Sequence, residues 1–223
     1  MAYHYSSPRL EFRAIRPTSD IPLFTALGAD LNGYINSSFS NIHLPTETDT
    51  TDFIKYLLEK CLLGAVVWLK HPSHLTTAER KELVATAKNE GREHIVEEYG
   101  TAIGEIHLSR LAPQHMQHRS TEIGVDVLPE YQGKGYGSEA INWALEYAFH
   151  RAGLHRVKIA AFGWNKGALK LYEKLGFKLE GRAREACWHE GRFWDMVEFG
   201  MLEGEWRALV EKAKEVGKVE EKV

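Results

Sequence analysis

Gly133, Gly135 and Gly137 fall within five residues, between an alternating apolar run and a long amphipathic segment. The stretch Pro129-Glu130-Tyr131-Gln132-Gly133-Lys134-Gly135-Tyr136-Gly137-Ser138 reads as a strand-to-helix junction. Glycines there remove the side chains that would hold a phosphate away from backbone amides. The helix start adds unpaired N–H groups and the positive end of its dipole, so the chemistry on offer is anion binding. Two nucleotide fingerprints fail on spacing. A P-loop needs G-x-x-x-x-G-K-[ST], and a dinucleotide turn needs G-x-G-x-x-G. The pattern that fits is [QR]-x-x-G-x-[GA], met by Gln132, Gly135 and Gly137.

Other reactive residue types are scattered. The two cysteines, Cys61 and Cys187, have no metal or disulfide spacing and read as buried small apolar residues. Of eleven histidines, only His71/His74 and His115/His118 are close pairs. No Cys or Asp cluster supports either, so no metal site is expected. Net charge is −3, which gives no global basic field for nucleic acid or an anionic membrane. The polar start, Met1 to Arg9, lacks an apolar signal core, and no apolar run approaches the about 20 residues that cross a bilayer. The expected compartment is the cytoplasm, or the nucleus by diffusion.

The elements that must position the loop follow from periodicity. Leu10 to Arg16, Ala65 to Leu69, Thr101 to Leu108, Thr121 to Leu128 and His155 to Ala161 read as strands. Phe177 to Trp188 and Phe193 to Leu202 form two more, turning at Glu190-Gly191. Thr18, Ser19 and Asp20 offer caps for a short helix. A second helix starts at Thr50, includes Cys61 on its apolar side and closes at Gly64. Asn32 to Pro45 reads as loop. Thr76-Thr77-Ala78-Glu79 has the form of a capping box. Ser138 to Arg151 is a strongly amphipathic helix, and Asn165 to Leu175 a short one stopped by Gly176. With 43% hydrophobic and 26% charged residues, the 223 residues form one α/β domain over 1–223. Its core runs over about 9–203, with a helical insert at about 71–92 and a charged C-terminal helix at 204–223.

The order strand, loop, long helix, strand, Asn165 and short helix resembles the GNAT superfamily of N-acetyltransferases. The resemblance rests on V-L-P-E-Y-Q-G-K-G-Y-G-S-E-A and N-K-G-A-L-K-L-Y-E-K-L-G-F. Within it, the ending R-F-W-D-M-V-E-F-G-M-L-E-G-E-W is similar to the RimJ/RimL-like branch. The resemblance implies a mixed, mostly antiparallel sheet, splayed at the cofactor site and flanked by helices. It implies acetyl-CoA as co-substrate, its pyrophosphate on Gln132, Gly133, Lys134, Gly135, Tyr136, Gly137 and Ser138. Backbone rather than the outward side chains of Lys134 and Tyr136 would matter most. The main chain of Val125, Asp126 and Val127 would bind the pantetheine arm and polarise the thioester carbonyl. Asn165 would contact the same arm, or serve only as a helix N-cap. Tyr172 would protonate the departing thiolate, or be a core tyrosine.

The general base does not carry over. Peptide N-terminal relatives place a Glu five residues before the Asn, and Ala160 stands here. Glu122 and Glu105 on neighbouring strands are the substitutes, each otherwise a half-exposed strand residue. Asp195 and Glu198 are further acids for a cationic amine, and Tyr34, Phe39, Trp188 and Trp194 are candidate pocket walls. The expected activity is direct acetyl transfer to a primary amine in a ternary complex. The acceptor is a small amine or, alternatively, a peptide N-terminus, and the protein a monomer or homodimer. A reading of another class is a non-catalytic acyl-CoA-binding sensor.

Overall fold

The computed structural model describes residues 5–44, 46–90 and 95–220, with side chains up to residue 215. Met1 to His4, Pro45, the insert's end at Gly91 and Arg92, and 221–223 of the C-terminal segment lie outside the described residues. The fold is α/β, with a mixed, mostly antiparallel sheet flanked by helices. Two compact units are Met1–Arg110 with Gly124–Ala144, and Leu111–Ile123 with Leu145–Val223.

In the first unit, β1 (Leu10–Ala14) and β2 (Cys61–Lys70) pair antiparallel, and β2 pairs antiparallel with β4 (Gly100–Ser109). A two-residue strand, β3 (Val96–Glu97), lies on β4. The apolar run in β2 is buried on both faces, with Ala65, Val66, Val67 and Trp68 all inaccessible. Each fully buried Val-sized side chain contributes about 1.5–3 kcal/mol of hydrophobic stabilisation. Helices α1 (Ile21–Ala29) and α3 (Asp49–Glu59) supply Leu23, Phe24, Ile54 and Leu57 to the same core. The second half of β5 (Ser120–Val127) and α5 (Tyr136–Glu146) complete the unit. Trp143 of α5 stacks on Phe12 of β1 at 3.8 Å, which fixes the helix against the strand.

In the second unit, the first half of β5 pairs parallel with β6 (Arg156–Phe162). Strand β6 pairs antiparallel with β8 (Arg192–Leu202), and β8 with β7 (Lys178–His189). Helices α6 (Lys166–Lys174) and α7 (Glu203–Glu220) follow β6 and β8. The β7–β8 turn has Glu190 at φ 46° and Gly191 at φ 78°, the two positive values a tight hairpin needs.

Several boundaries differ from expectation. Residues Leu31–Ser37 form a helix, α2, where a loop was expected, because Asp30 caps it by accepting from the Asn32 amide. Cys61 is the first residue of β2 rather than the last apolar position of α3, and Gly64 lies inside that strand. Asp20 precedes α1 without capping it through its side chain. Its buried carboxylate instead accepts from the Arg16 amide and guanidinium. The capping box formed as expected. Thr76 and Glu79 bond reciprocally at the start of α4 (Thr77–Asn89). Both cysteines are buried and free.

Candidate active site

The glycine loop belongs to the first unit. Strand β5 ends at Val127, the Leu128 amide donates to the Ile103 carbonyl at 2.8 Å, and a short 3-10 turn covers Pro129–Tyr131. The Gln132 side-chain amide donates back to the Val127 carbonyl at 2.8 Å, closing the loop on its strand. Gly133 and Gly135 have φ of 70° and 83°, which residues with a Cβ rarely adopt. A Cβ at Gly133 or Gly137 would meet nothing within 4 Å, so these backbone stretches face open space. Helix α5 begins at Tyr136, and the Glu139 amide donates to the Gly135 carbonyl. The amides of 136–138 therefore precede the first helical bond and have no acceptor within the helix. Open amides at a helix start suit a phosphate or pyrophosphate.

Arg9, unmarked in the sequence, ties this loop down. Its Nε donates to Glu139 Oε2 at 2.7 Å, its backbone amide to Glu139 Oε1 at 2.8 Å, and its Nη1 to the Lys134 carbonyl at 3.0 Å. Ser7 adds a hydroxyl bond to Glu139 at 2.6 Å. Partial burial works against the charge of Glu139. The bonds from Ser7 and Arg9 outweigh it and hold the carboxyl below its ordinary range. The Arg9 guanidinium also lies over the Tyr136 ring at 4.6 Å. Tyr136 is half-buried under it, and Lys134 is exposed.

Beside the end of β5 lies a titratable cluster. Glu105 is fully buried, not half-exposed, and His107 Nδ1 sits 3.1 Å and 3.2 Å from its two oxygens. The rings of Phe53 and Tyr56 meet His107 edge-on. Two glycines permit this approach. A Cβ at Gly104 would lie 2.1 Å from the Asp126 carbonyl oxygen, and one at Gly124 would lie 2.1 Å from His107 Cε1. Asp126 is half-buried. Its carboxyl is pushed up to about 7, first by desolvation and then by the charge of Glu105. A Ser37 hydrogen bond and His107 oppose this weakly, and Asp30 adds to it.

In the second unit, Asn165 caps α6, its Oδ1 accepting from the Ala168 amide at 3.0 Å. Tyr172 of α6 is buried at 8% exposure, with its ring edge-on to Phe199 at 5.9 Å. Gly176, at φ 91°, ends the helix and lets the Phe177 amide reach the Tyr172 carbonyl at 3.1 Å. Glu122 is exposed, 4.0 Å from Lys158 on the paired strand. Ala160 stands opposite Glu198 in the β6–β8 register. Asp195 accepts from the Arg182 side chain at 3.1 Å and from the Glu185 amide at 3.0 Å. It is therefore engaged within its own hairpin rather than free for an amine. Trp164 stacks on Phe162 and His189, each at 4.4 Å, and Trp194 donates to the His189 carbonyl. Of the candidate pocket walls, Tyr34 bonds within its own segment to Asn41 and His43. Phe39 and Trp188 are exposed. Among the described residues, no group of three or more His, Cys, Asp or Glu could hold a metal ion. Nor is any helix among them long and apolar enough to cross a membrane.

The family model of the acetyltransferase (GNAT) family matches residues 52–177, more than half of the chain. The protein belongs to the GNAT acetyltransferase family. It is 36% identical over 89 residues to the spermidine N(1)-acetyltransferase of Vibrio cholerae, covering 40% of this chain and 51% of that one. It is 34% identical over 107 residues to the putative ribosomal N-acetyltransferase YdaF of Bacillus subtilis, covering 48% and 57%. The chain thus spans about half the length of the curated relatives it matches. Among solved structures, the Vibrio cholerae spermidine N-acetyltransferase in complex with CoA and spermine superposes with a TM-score of 0.66. That match is at 22% identity over 90% of this chain and 99% of that one. A GNAT-family acetyltransferase from Bacillus anthracis gives a TM-score of 0.65, also at 22% identity, over 90% and 98%. At that identity the likeness is one of fold.

Proposed function

We propose that the protein is an acetyl-CoA-dependent N-acetyltransferase that works in the cytoplasm on a primary amine, by direct attack in a ternary complex. The observation that carries this reading is the loop at Gln132 to Ser138, with left-handed glycines, open backbone and helix-start amides. Those amides hold the pyrophosphate, and the main chain of Val125 to Val127 binds the pantetheine arm and polarises the thioester carbonyl. An oxyanion-type donor of this kind is worth about 3–4 kcal/mol in acyl transfer. The bound thioester supplies an activated acetyl group. Asn165 contacts the arm through the part of its side chain not used in capping, and Tyr172 protonates the leaving thiolate. Both roles follow from the sequence motif.

An acceptor ammonium, with pKa of about 10, must lose a proton before it attacks. Glu105 and Glu122 are the base candidates on neighbouring strands. Glu105 is fully buried with His107 as its partner, and Glu122 lies in solvent beside Lys158. A small polycationic amine is the favoured acceptor, in keeping with the spermidine-acetylating relatives. A peptide N-terminus is the second reading, supported by the likeness to YdaF and to the RimJ/RimL-like ending.

The deciding measurement is thiol release from acetyl-CoA with a panel of polyamines, amino-acid-like amines and N-terminal peptides. Turnover on one class assigns the acceptor. Acetyl-CoA binding with no turnover on any of them would reject the enzyme in favour of a sensor module. Tyr172→Phe is expected to lower kcat by about 10²-fold or more while leaving acetyl-CoA affinity intact, as loss of a general acid does. Unchanged turnover rejects its acid role.

A further inference from the structure

We propose that the side chain of Asp126 is the general base that takes the proton from the acceptor's ammonium, with the Glu105–His107 pair positioning it. The inference deepens the acetyltransferase reading and rests on it. Main-chain atoms of Asp126 already have a role there, and the side chain is a separate group.

Position comes first. Asp126 lies one residue before the end of β5, at the strand end that leads into the glycine loop. Its backbone is held against β4 at Gly104, where no side chain could fit. The residue as a whole is half-buried, so part of it is open to a ligand, while desolvation acts on its carboxyl. Gly124, two residues back on the same face of β5, lies against the His107 ring, so the Asp126 side chain is on the face that meets the Glu105–His107 pair.

The surrounding charges set its proton affinity. The groups that act on it are Glu105 and His107 of β4, Asp30 at the cap of α2 and Ser37 at its end. Glu105 is fully buried with His107 as its partner, so its charge acts on Asp126 through a medium of low dielectric. A base works best when its proton affinity lies near the working pH. Desolvation and Glu105 bring Asp126 to about 7, where a solvated carboxylate would be too weak a base. Exposed Glu122 has no such surroundings. Glu105 therefore enters the chemistry as a positioning and tuning residue, acting through Asp126.

The step balances. One proton passes from the ammonium nitrogen to a carboxylate oxygen of Asp126 and then to water. The freed nitrogen pair forms the N–C bond to the thioester carbonyl as the C–S bond breaks. The thiolate takes a proton from the general acid, and the nitrogen's second proton restores that acid. The net products are an N-acetyl amine, the free thiol and one released proton.

The test compares the parent protein with Asp126→Asn and Asp126→Glu, using acetyl-CoA with spermidine or the best amine of the panel, over pH 5.5 to 9. In the parent, kcat/KM should rise with pH through a midpoint near 7 and then level off. Asp126→Asn should lower it by about 10²-fold or more and remove that midpoint, with acetyl-CoA binding unchanged by calorimetry. Asp126→Glu should restore part of the rate with a shifted midpoint. Glu105→Gln should move the parental midpoint down, which lost packing alone would not do. An Asp126→Asn rate within about threefold of the parent, or an unmoved midpoint, overturns the assignment. Absence of turnover in the parent itself is the separate failure of the acetyltransferase reading, and the assignment falls with it.

Discussion

Asp126 carries a stability cost that its proposed chemistry explains. Its folded pKa, about 7, lies above the ordinary value of 3.8, the reverse of a salt-bridged aspartate. Between those values the folded protein binds a proton that the unfolded chain has lost. Its contribution to stability therefore falls as pH rises from about 4 to about 7, and levels off above that. Replacing Asp126 by Asn should raise stability at pH 8 by on the order of 3 kcal/mol and leave pH 4 unchanged, read as Tm at the two values. An equal Tm change at both would show that the carboxyl is not perturbed. A substitution that gains stability while losing turnover marks a residue retained for function. The sequence placed Asp126 on the right strand but showed only its backbone use. Its surroundings come from Glu105, Ser37 and Asp30, all distant in the chain. No period or motif reports that juxtaposition. The Asn165 cap was legible because its distance from the short helix is a local signal, and it formed where that spacing put it.

At the scale of elements, the start of α5 is held by a segment far from it in sequence. Ser7 and Arg9 grip Glu139 and the Lys134 carbonyl just before β1, and the Phe12–Trp143 stack holds the same helix one turn further on. Arg9 is about half exposed and Glu139 largely covered. The pair is therefore a partly screened contact worth about 1 kcal/mol or less. Arg9→Ala should raise the KM for acetyl-CoA by up to about fivefold and leave kcat nearly unchanged. Arg9→Lys should recover only part of this, since an ammonium cannot reach two acceptors with the geometry of a guanidinium. An effect on kcat alone would mean that the clamp does not act on the loop. Local signals read well here. The capping box at Thr76, the glycine stop at Gly176 and the Glu190-Gly191 hairpin all formed as their residues specify. Helix α2 did not, because its Asn and Ser content favours turns. Cys61 went from helix to strand because its four-residue spacing from Leu57 continues the helical period, although the backbone already starts β2 there.

For the molecule as a whole, the fold class and family were readable because the two motifs straddle a fixed order of strands and helices. The acceptor was not, since exposed aromatic residues such as Phe39 and Trp188 look the same in sequence as packed ones. One feature of the second unit also bears on how copies of the chain behave in a crowded solution. Strand β7 pairs with β8 on one side, and its register jumps between Ala183 and Cys187, with Glu185 at φ 53°. The kink is held by Asp195 through Arg182 and the Glu185 amide. A straight β7 would offer twelve residues of backbone to a strand from another copy. The kink divides that template, and charges on Arg182, Arg184 and Glu185 flank the break. Asp195→Ala should loosen it and speed concentration-dependent fibril growth under mild heating, followed by thioflavin fluorescence. Equal growth by parent and variant would remove the kink from that role. The shape of that exposed edge thus hangs on one aspartate of the neighbouring strand.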